Sequence, residues 1–499
     1  MADLVLIHPP VSLPSEPPLG AATLAASLRR RDVDVTVVDA SINGLDHLWT
    51  ASPPRDPGTP AGRRALRLRG RALEQLRTPP GYENRDRHHA AVGTLRRVLG
   101  LWGGVDVGAY HDPGLSPLRS GDLLESARRH ADSPFAGYFA GLCQEVARLE
   151  PRVVGLSINY LDQALPGLAL AGALREALGP GVPLVAGGGL VSCWRGKLSP
   201  DGLIPALDRL IFDDGDAALL DLLGEPTGDR GRAVLPDYRD MPWGLYLAPE
   251  RVAPLSTSFG CYWSRCRYCP EAASGPAHAP RFTDPARAVR EVCEASAAHA
   301  AHITDSAIPP AALRRLATLG TGRIRWYGFA RFHEALADDA FCRGLRRSGC
   351  VMLQLGLESG SVRVLERLGK GIRPELASRV LGALHRAGIA SFVYVMFGTP
   401  GEQRPDAEQT RRFVVEHADV IGFLNVSLLN LPVGAADGVA ARELPGGGDL
   451  SLYLGFDDGW QRREARRFAE RELARHPAVA RILRRTPHVL GANHAAFFV

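Results

Sequence analysis

The sequence predicts an α/β protein in two parts: an N-terminal doubly wound, Rossmann-like parallel sheet, then a (β/α)6 partial TIM barrel. Three observations predict it. Apolar runs of strand length alternate with helix-length amphipathic runs, first within residues 1–223 and again within 251–430. Glycine-rich or acidic turns follow several of the strands, where open parallel sheets bind ligands. Three cysteines, Cys261, Cys266 and Cys269, share one loop directly after the first strand of the second series. That is the end at which barrels place their chemistry.

In the first series, residues 4–8 are a short apolar strand stopped by Pro9-Pro10. Residues 19–30 have helical periodicity, and 33–38 form a second strand ending at Asp39. Residues 43–148 then interrupt the pattern. They are rich in Pro, Gly and Arg, turn helical over 135–149, and read as an insert. The alternation resumes with a strand at 153–158, a helix at 165–178 and a strand at 182–186. Behind that strand stands Gly187-Gly188-Gly189, a triplet that could cradle a ligand or close-pack a tight turn. A short strand at 209–212 precedes the acidic turn Asp213-Asp214-Gly215-Asp216, and residues 224–250, with Pro226, Pro236 and Pro242, read as a linker.

The second series opens with a strand at 255–258 that runs into the cysteine loop. A helix follows with Asp284 as its N-cap and Pro285 in the first helical position. Strands at 302–304, 324–327, 352–357, 392–397 and 420–424 complete the series, and a helix at 374–387 ends at Gly388. Residues 431–499 form a C-terminal cap or tail with an arginine-rich helix at 461–475.

Composition narrows the function classes. The net charge of +5 is modest for 499 residues, and nearly all the positive charge is arginine, with lysine only at Lys197 and Lys370. The densest basic stretch, 55–97, reads as the solvated face of a helical insert; a nucleic-acid surface would want a compact patch interleaved with aromatics. No apolar run approaches a membrane span, and the N-terminus lacks the basic start of a secretory signal. Eight cysteines, three of them clustered, suit metal chemistry in a reducing, cytoplasmic compartment better than a disulfide framework.

The triplet has the spacing C-x4-C-x2-C. Structural zinc wants four ligands, usually as two spaced pairs, and an electron-transfer iron–sulfur cluster wants four cysteines. Three free thiols packed as small hydrophobes are a third reading, set against flanking arginines and aromatics. The fourth is a [4Fe–4S] cluster with three protein ligands and one open iron. A non-catalytic iron–sulfur or zinc module is thus the alternative to an enzyme.

The triplet at the end of a first barrel strand, with Tyr268 between its last two cysteines, resembles the radical S-adenosylmethionine superfamily. The start Gly260-Cys261-Tyr262-Trp263 is similar to a subset of that family. The family usually spaces its cysteines C-x3-C-x2-C, so this loop carries one extra residue. Four more stretches match in strand order: Thr304-Asp305-Ser306; Trp326 and Arg331 with Ser348-Gly349-Cys350; Gly356-Leu357-Glu358-Ser359-Gly360; and Phe397-Gly398-Thr399-Pro400-Gly401-Glu402. The resemblance implies that Cys261, Cys266 and Cys269 bind a [4Fe–4S] cluster whose open iron chelates S-adenosylmethionine. It implies that Tyr268 lies against the adenine, and that Glu358 and Ser359, with Asp305 and Arg331, contact the ribose or methionine part. Gly398 would let the backbone approach. A small-molecule or peptide substrate and an external one-electron reductant, of flavodoxin or ferredoxin type, follow from the same resemblance.

Residues 1–223 resemble the cobalamin-binding-like domain that precedes many such enzymes, through Pro9-Pro10, Asp39, Val154-Gly155-Leu156-Ser157 and Gly187-Gly188. A histidine-ligated cobalamin would want D-x-H-x-x-G. The nearest string, Asp86-Arg87-His88-His89-Ala90-Ala91, lacks the glycine and lies in the insert. Cobalamin, and with it C-methylation by a transferase, stays open beside a cobalamin-independent radical reaction.

Overall fold

The computed structural model describes residues 2–54, 56–212, 215–226, 233–435, 441–444, 446–456 and 460–499. Asp213 and Asp214 of the acidic turn lie outside the described residues. The chain forms two compact units, residues 1–251 with 447–451, and residues 252–446 with 452–499.

The first unit is built on five parallel strands: β1 (Leu4–His8), β2 (Val35–Asp39), β3 (Val153–Ser157), β4 (Leu184–Gly187) and β5 (Arg209–Leu210). Their order is β2-β1-β3-β4-β5. β1 and β3 are buried at every position, as parallel strands covered on both faces must be. Strand order reverses between β1 and β3, which makes their carboxyl ends the switch-point crevice. Within the insert, the helix Pro60–Leu76 buries Ala65, Ala72, Leu73 and Leu76 and leaves Arg63, Arg64, Arg67 and Arg71 exposed. Its arginines form a solvated face. In the glycine triplet, Gly188 has φ of 108°, and a Cβ there would lie 2.6 Å from the Ile158 carbonyl oxygen. At this position the triplet packs backbone on backbone.

The second unit holds six parallel strands in sequential order: β6 (Val252–Leu255), β7 (Ala300–Ile303), β8 (Arg325–Ala330), β9 (Cys350–Glu358), β10 (Ala390–Phe397) and β11 (Phe423–Leu428). This is the partial barrel the periodicity predicts. β6 ends at Leu255, earlier than expected. The chain then makes a two-residue antiparallel pair, Ser258–Phe259 with Ala279–Pro280, which closes the cysteine loop at its base. β11 starts at Phe423 rather than at 420. The amides of Val420 and Ile421 bond back to the His417 carbonyl and so belong to the end of the preceding helix.

The last turns of the chain plug the amino end of the barrel. Ala492, Ala495 and Ala496, with Phe497 and Phe498, pack against Val252, Ala300, Tyr327, Met352, Phe392 and Phe423. That apolar closure leaves the polar chemistry to the carboxyl ends of the strands. Among the described residues no helix is long and apolar enough to cross a membrane.

Candidate active site

The cysteine loop is anchored from both of its ends. Asp305, just past β7, is buried and accepts from the Thr257 amide (2.5 Å), the Thr257 hydroxyl (2.6 Å) and the Ser258 hydroxyl (2.7 Å). It thereby fixes the strand end that leads to Cys261. The Arg281 amide donates to the Thr257 carbonyl at 2.8 Å and holds the returning end. Between these anchors, within the C-x4-C spacing, the backbone kinks into the left-handed region at Ser264, which is exposed and has φ of 43°. Cys266 is buried, whereas Cys261 and Cys269 are half-buried. Burial pushes the Cys269 thiol upward, the Ala272 and Glu271 amides oppose this, and the charges of Cys266 and Cys261 reach it as well.

A second loop clamps the first. Three successive carbonyls, those of Leu368, Gly369 and Lys370, accept from the Arg267 amide (3.0 Å), the Trp263 indole N–H (2.9 Å) and the Arg331 guanidinium. The close approach requires glycine on both sides of Lys370. A Cβ at Gly369 (φ 64°) would lie 2.4 Å from the Arg265 carbonyl oxygen, and one at Gly371 (φ 66°) would lie 2.0 Å from the Trp263 ring.

Lys370, one of the chain's two lysines, is the residue that sequence reasoning undervalued. Its Nζ donates to Glu358 Oε1 at 2.8 Å and to the Tyr268 hydroxyl at 3.2 Å. The two charged side chains are 8% and 13% exposed, so this is a buried ion pair. Glu358 itself has φ of 64°, at a register shift between β9 and β10. A non-glycine residue in that region is strained, and such strain gathers at functional sites. Tyr268 packs against Val364, Leu368, Met396 and Leu429. Burial, with the Glu358 carboxylate beside it, raises its phenol and keeps it protonated.

Arg331 turns toward the cysteine loop. Its Nη1 lies 3.7 Å from Cys266 Sγ, and its guanidinium stands 4.4 Å from the centre of the Trp263 ring. Ser359 is fully buried and faces Thr410, with their hydroxyls 3.0 Å apart. Gly398 follows β10, and a Cβ there would lie 3.4 Å from that of Ala465. The structure therefore brings Cys261, Cys266, Cys269, Tyr268, Arg331 and Glu358 around one loop pair. Asp305 serves at the loop's root, and Ser359 packs toward a helix.

Two further residues escaped sequence reasoning. Glu402 is fully buried and accepts from the Thr399 amide at 2.9 Å, while its Oε1 has no hydrogen-bond partner among the described residues. Burial raises its carboxyl from 4.5 to about 7, against the opposing pull of the Thr399 and Gly398 amides. Gln354 lies on β9 two and four residues before Gly356 and Glu358, on the same face. It is buried, its Oε1 accepts from the Tyr394 hydroxyl at 2.8 Å, and its Nε2 is unpartnered among the described residues. The alternation Gln354, Gly356, Glu358 was the signal available for it.

Among the described residues no three His, Cys, Asp or Glu side chains are arranged around a single ion. An iron–sulfur cluster takes one thiolate at each of several irons, and three thiols sharing one clamped loop, with the charges of Cys266 and Cys261 reaching Cys269, are compatible with that demand. Residues 255–414 match the model of the Radical SAM superfamily. The chain carries a radical SAM domain. An uncharacterized methyltransferase, PH0819, of Pyrococcus horikoshii is 30% identical over 90 residues, a match spanning 18% of this chain and 19% of the relative. The chain thus covers about a fifth of that relative's length. The solved cobalamin-dependent S-adenosylmethionine radical enzyme OxsB has a TM-score of 0.50 and 14% identity, over 84% of this chain and 52% of that one. At that identity the likeness is one of fold, and it extends beyond the radical SAM domain. The radical S-adenosylmethionine methyltransferase TsrM from Kitasatospora setae has a TM-score of 0.49 and 17% identity, over 87% of this chain and 76% of that one.

Proposed function

We propose that the chain cleaves S-adenosylmethionine reductively at a [4Fe–4S] cluster held by Cys261, Cys266 and Cys269, and so modifies a small-molecule or peptide substrate. The observation that carries this reading is the buried Lys370–Glu358–Tyr268 network beside a clamped loop of three thiols at the carboxyl ends of the barrel strands. When bound, the cluster and S-adenosylmethionine supply a 5′-deoxyadenosyl radical on receiving one electron. The protein's own residues bind and orient. Glu358 offers a carboxylate to a ribose hydroxyl or to the methionine ammonium, and Tyr268 an apolar face to the adenine. Gly398 gives backbone access. Asp305 and Arg331 act on the site through the cysteine loop, and Ser359 by packing the turn after Glu358. The electron comes from a carrier of flavodoxin or ferredoxin type, in the cytoplasm.

Methyl transfer with cobalamin is the second reading, and the switch point of the first sheet favours it. The loop after β3 there presents Tyr160, which is exposed. Histidine ligation has no support: His8 is buried against Ser12 and Gln163, and His88 is buried within the helix Arg85–Gly100.

Anaerobic reconstitution with iron and sulfide should give a brown protein with about four irons per chain. Reduction in the presence of S-adenosylmethionine should release 5′-deoxyadenosine. Zinc in place of iron, or intact S-adenosylmethionine, would refute the reading. Cys266→Ala should lose the iron while circular dichroism stays that of the parent, and retained iron would refute the ligand assignment. Cobalamin retained through gel filtration distinguishes the second reading.

A further inference from the structure

A surface groove of about 730 Å³ opens beside the cysteine loop, lined among others by Trp263, Arg265, Arg267, Arg373 and Arg379. Its rim also holds three carboxylates, Glu334, Glu366 and the exposed Glu375. Arg379 is paired with Glu334 at 2.8 Å and Arg373 with Glu366 at 3.5 Å. Arg265 and Arg267 are exposed and, among the described residues, meet no carboxylate. They flank Cys266 in the sequence, so two exposed cations bracket a buried cluster ligand. The wall between groove and thiol is thin. The Trp263 ring lines the groove, the Arg331 guanidinium lies 4.4 Å from the ring's centre, and its Nη1 lies 3.7 Å from Cys266 Sγ.

We infer that this groove is the docking face for the electron donor, an acidic one-electron carrier protein. The inference rests on the radical SAM reading above and adds to it the place of electron entry. Two features favour a protein carrier over a small ligand. The groove is open and lined by charged side chains, which suits a small, transient electron-transfer interface held by charge complementarity. Its exposed cations also sit where a carrier's acidic rim would place the redox group over Trp263, next to the side chains that touch Cys266. The step is balanced: the carrier is oxidised by one electron and the cluster is reduced by one, and no bond is made or broken.

The test uses the full chain with a flavodoxin as the probe. Binding of the oxidised flavodoxin is measured by calorimetry on the cluster-loaded protein at two salt concentrations. Cluster reduction is followed by electron paramagnetic resonance, driven either by the reduced flavodoxin or by titanium(III) citrate. In the double variant Arg265→Glu/Arg267→Glu, flavodoxin affinity and the flavodoxin-driven reduction rate should each fall by about tenfold or more, with a flatter salt dependence. Reduction by titanium(III) citrate should match the parent. The milder Arg265→Gln/Arg267→Gln pair should show a smaller loss in the same direction. Unchanged flavodoxin affinity, or equal slowing with both reductants, would overturn the docking face. A parent chain that takes up no cluster would instead overturn the reading of the site, and the two failures are distinct.

Discussion

Both units end their parallel strands in polar loops, but the polarity differs in kind. At the strand ends of the first unit the side chains are mostly neutral and satisfy one another. His8 Nε2 lies 3.1 Å from the Ser12 hydroxyl, which donates to Ser41 at 3.0 Å, and Gln163 donates to the Pro9 carbonyl at 2.6 Å. Burial lowers the His8 imidazole and keeps it neutral. The buried Asp39 accepts from the Ser41 and Ile42 amides, capping the helix Ala40–Thr50, and from the Tyr246 hydroxyl. In the second unit Asp305, Arg331, Glu358, Lys370 and Glu402 are largely buried at one end of one sheet. Burying charge is costly unless it is paired, so such a gathering marks chemistry rather than stability. The same architecture ends its strands in largely neutral, mutually satisfied side chains in one unit and in buried charged ones in the other.

Neutralising the charged end should break that contrast most strongly. Lys370→Met leaves the Glu358 carboxylate buried without its ammonium and should lower stability by roughly 3–5 kcal/mol, read by denaturant unfolding. The double variant Lys370→Met/Glu358→Gln should recover most of that loss yet bind S-adenosylmethionine weakly. If the single variant is as stable as the parent, the pair is not the buried contact described.

A smaller effect follows from Glu402, whose carboxyl is raised from 4.5 to about 7 by burial. Below about pH 4.5 the folded and unfolded chains both hold its proton. As pH rises toward 7 the unfolded chain gives it up first, so folding loses up to about 3 kcal/mol, and above pH 7 the loss is complete. Glu402→Gln does not titrate. Its melting temperature relative to the parent should therefore rise between pH 5 and 7.5 and then level off. A constant difference across that range would contradict the buried, protonated carboxyl.

The smallest effect concerns Ser264 in the cysteine loop. Ser264→Gly removes a side chain from a left-handed backbone position and should raise stability by up to about 1 kcal/mol, with cluster content unchanged. A clear loss of stability in the same unfolding assay would show that Ser264 holds the loop by some other means.

Much of this was legible in the chain, for reasons that can be named. The strands and their carboxyl-end loops follow from local periodicity. The cysteine triplet is a local spacing, and Glu358 stands in a short run at the end of the fourth strand of the same series. Lys370 carried a signal in its rarity and in the glycines on either side, but nothing local says that its ammonium reaches Glu358. Arg331 was expected at the ribose or methionine, and in the fold its guanidinium reaches Cys266 and Trp263. Glu402 lies in a recognisable turn, yet its raised carboxyl comes from burial that no spacing reports.

The sequence by itself determined the two parallel α/β units, the three thiols and the strand end on which they sit, because strand period and ligand spacing are properties of contiguous residues. Only the tertiary structure decided that the loop carrying Lys370 clamps the cysteine loop, that Asp305 roots it, and that the chain's last residues plug the barrel's amino end. Those contacts join residues tens to hundreds of positions apart. Their partners are chosen by packing and by the need to satisfy buried polar groups, which the local pattern of residues does not encode.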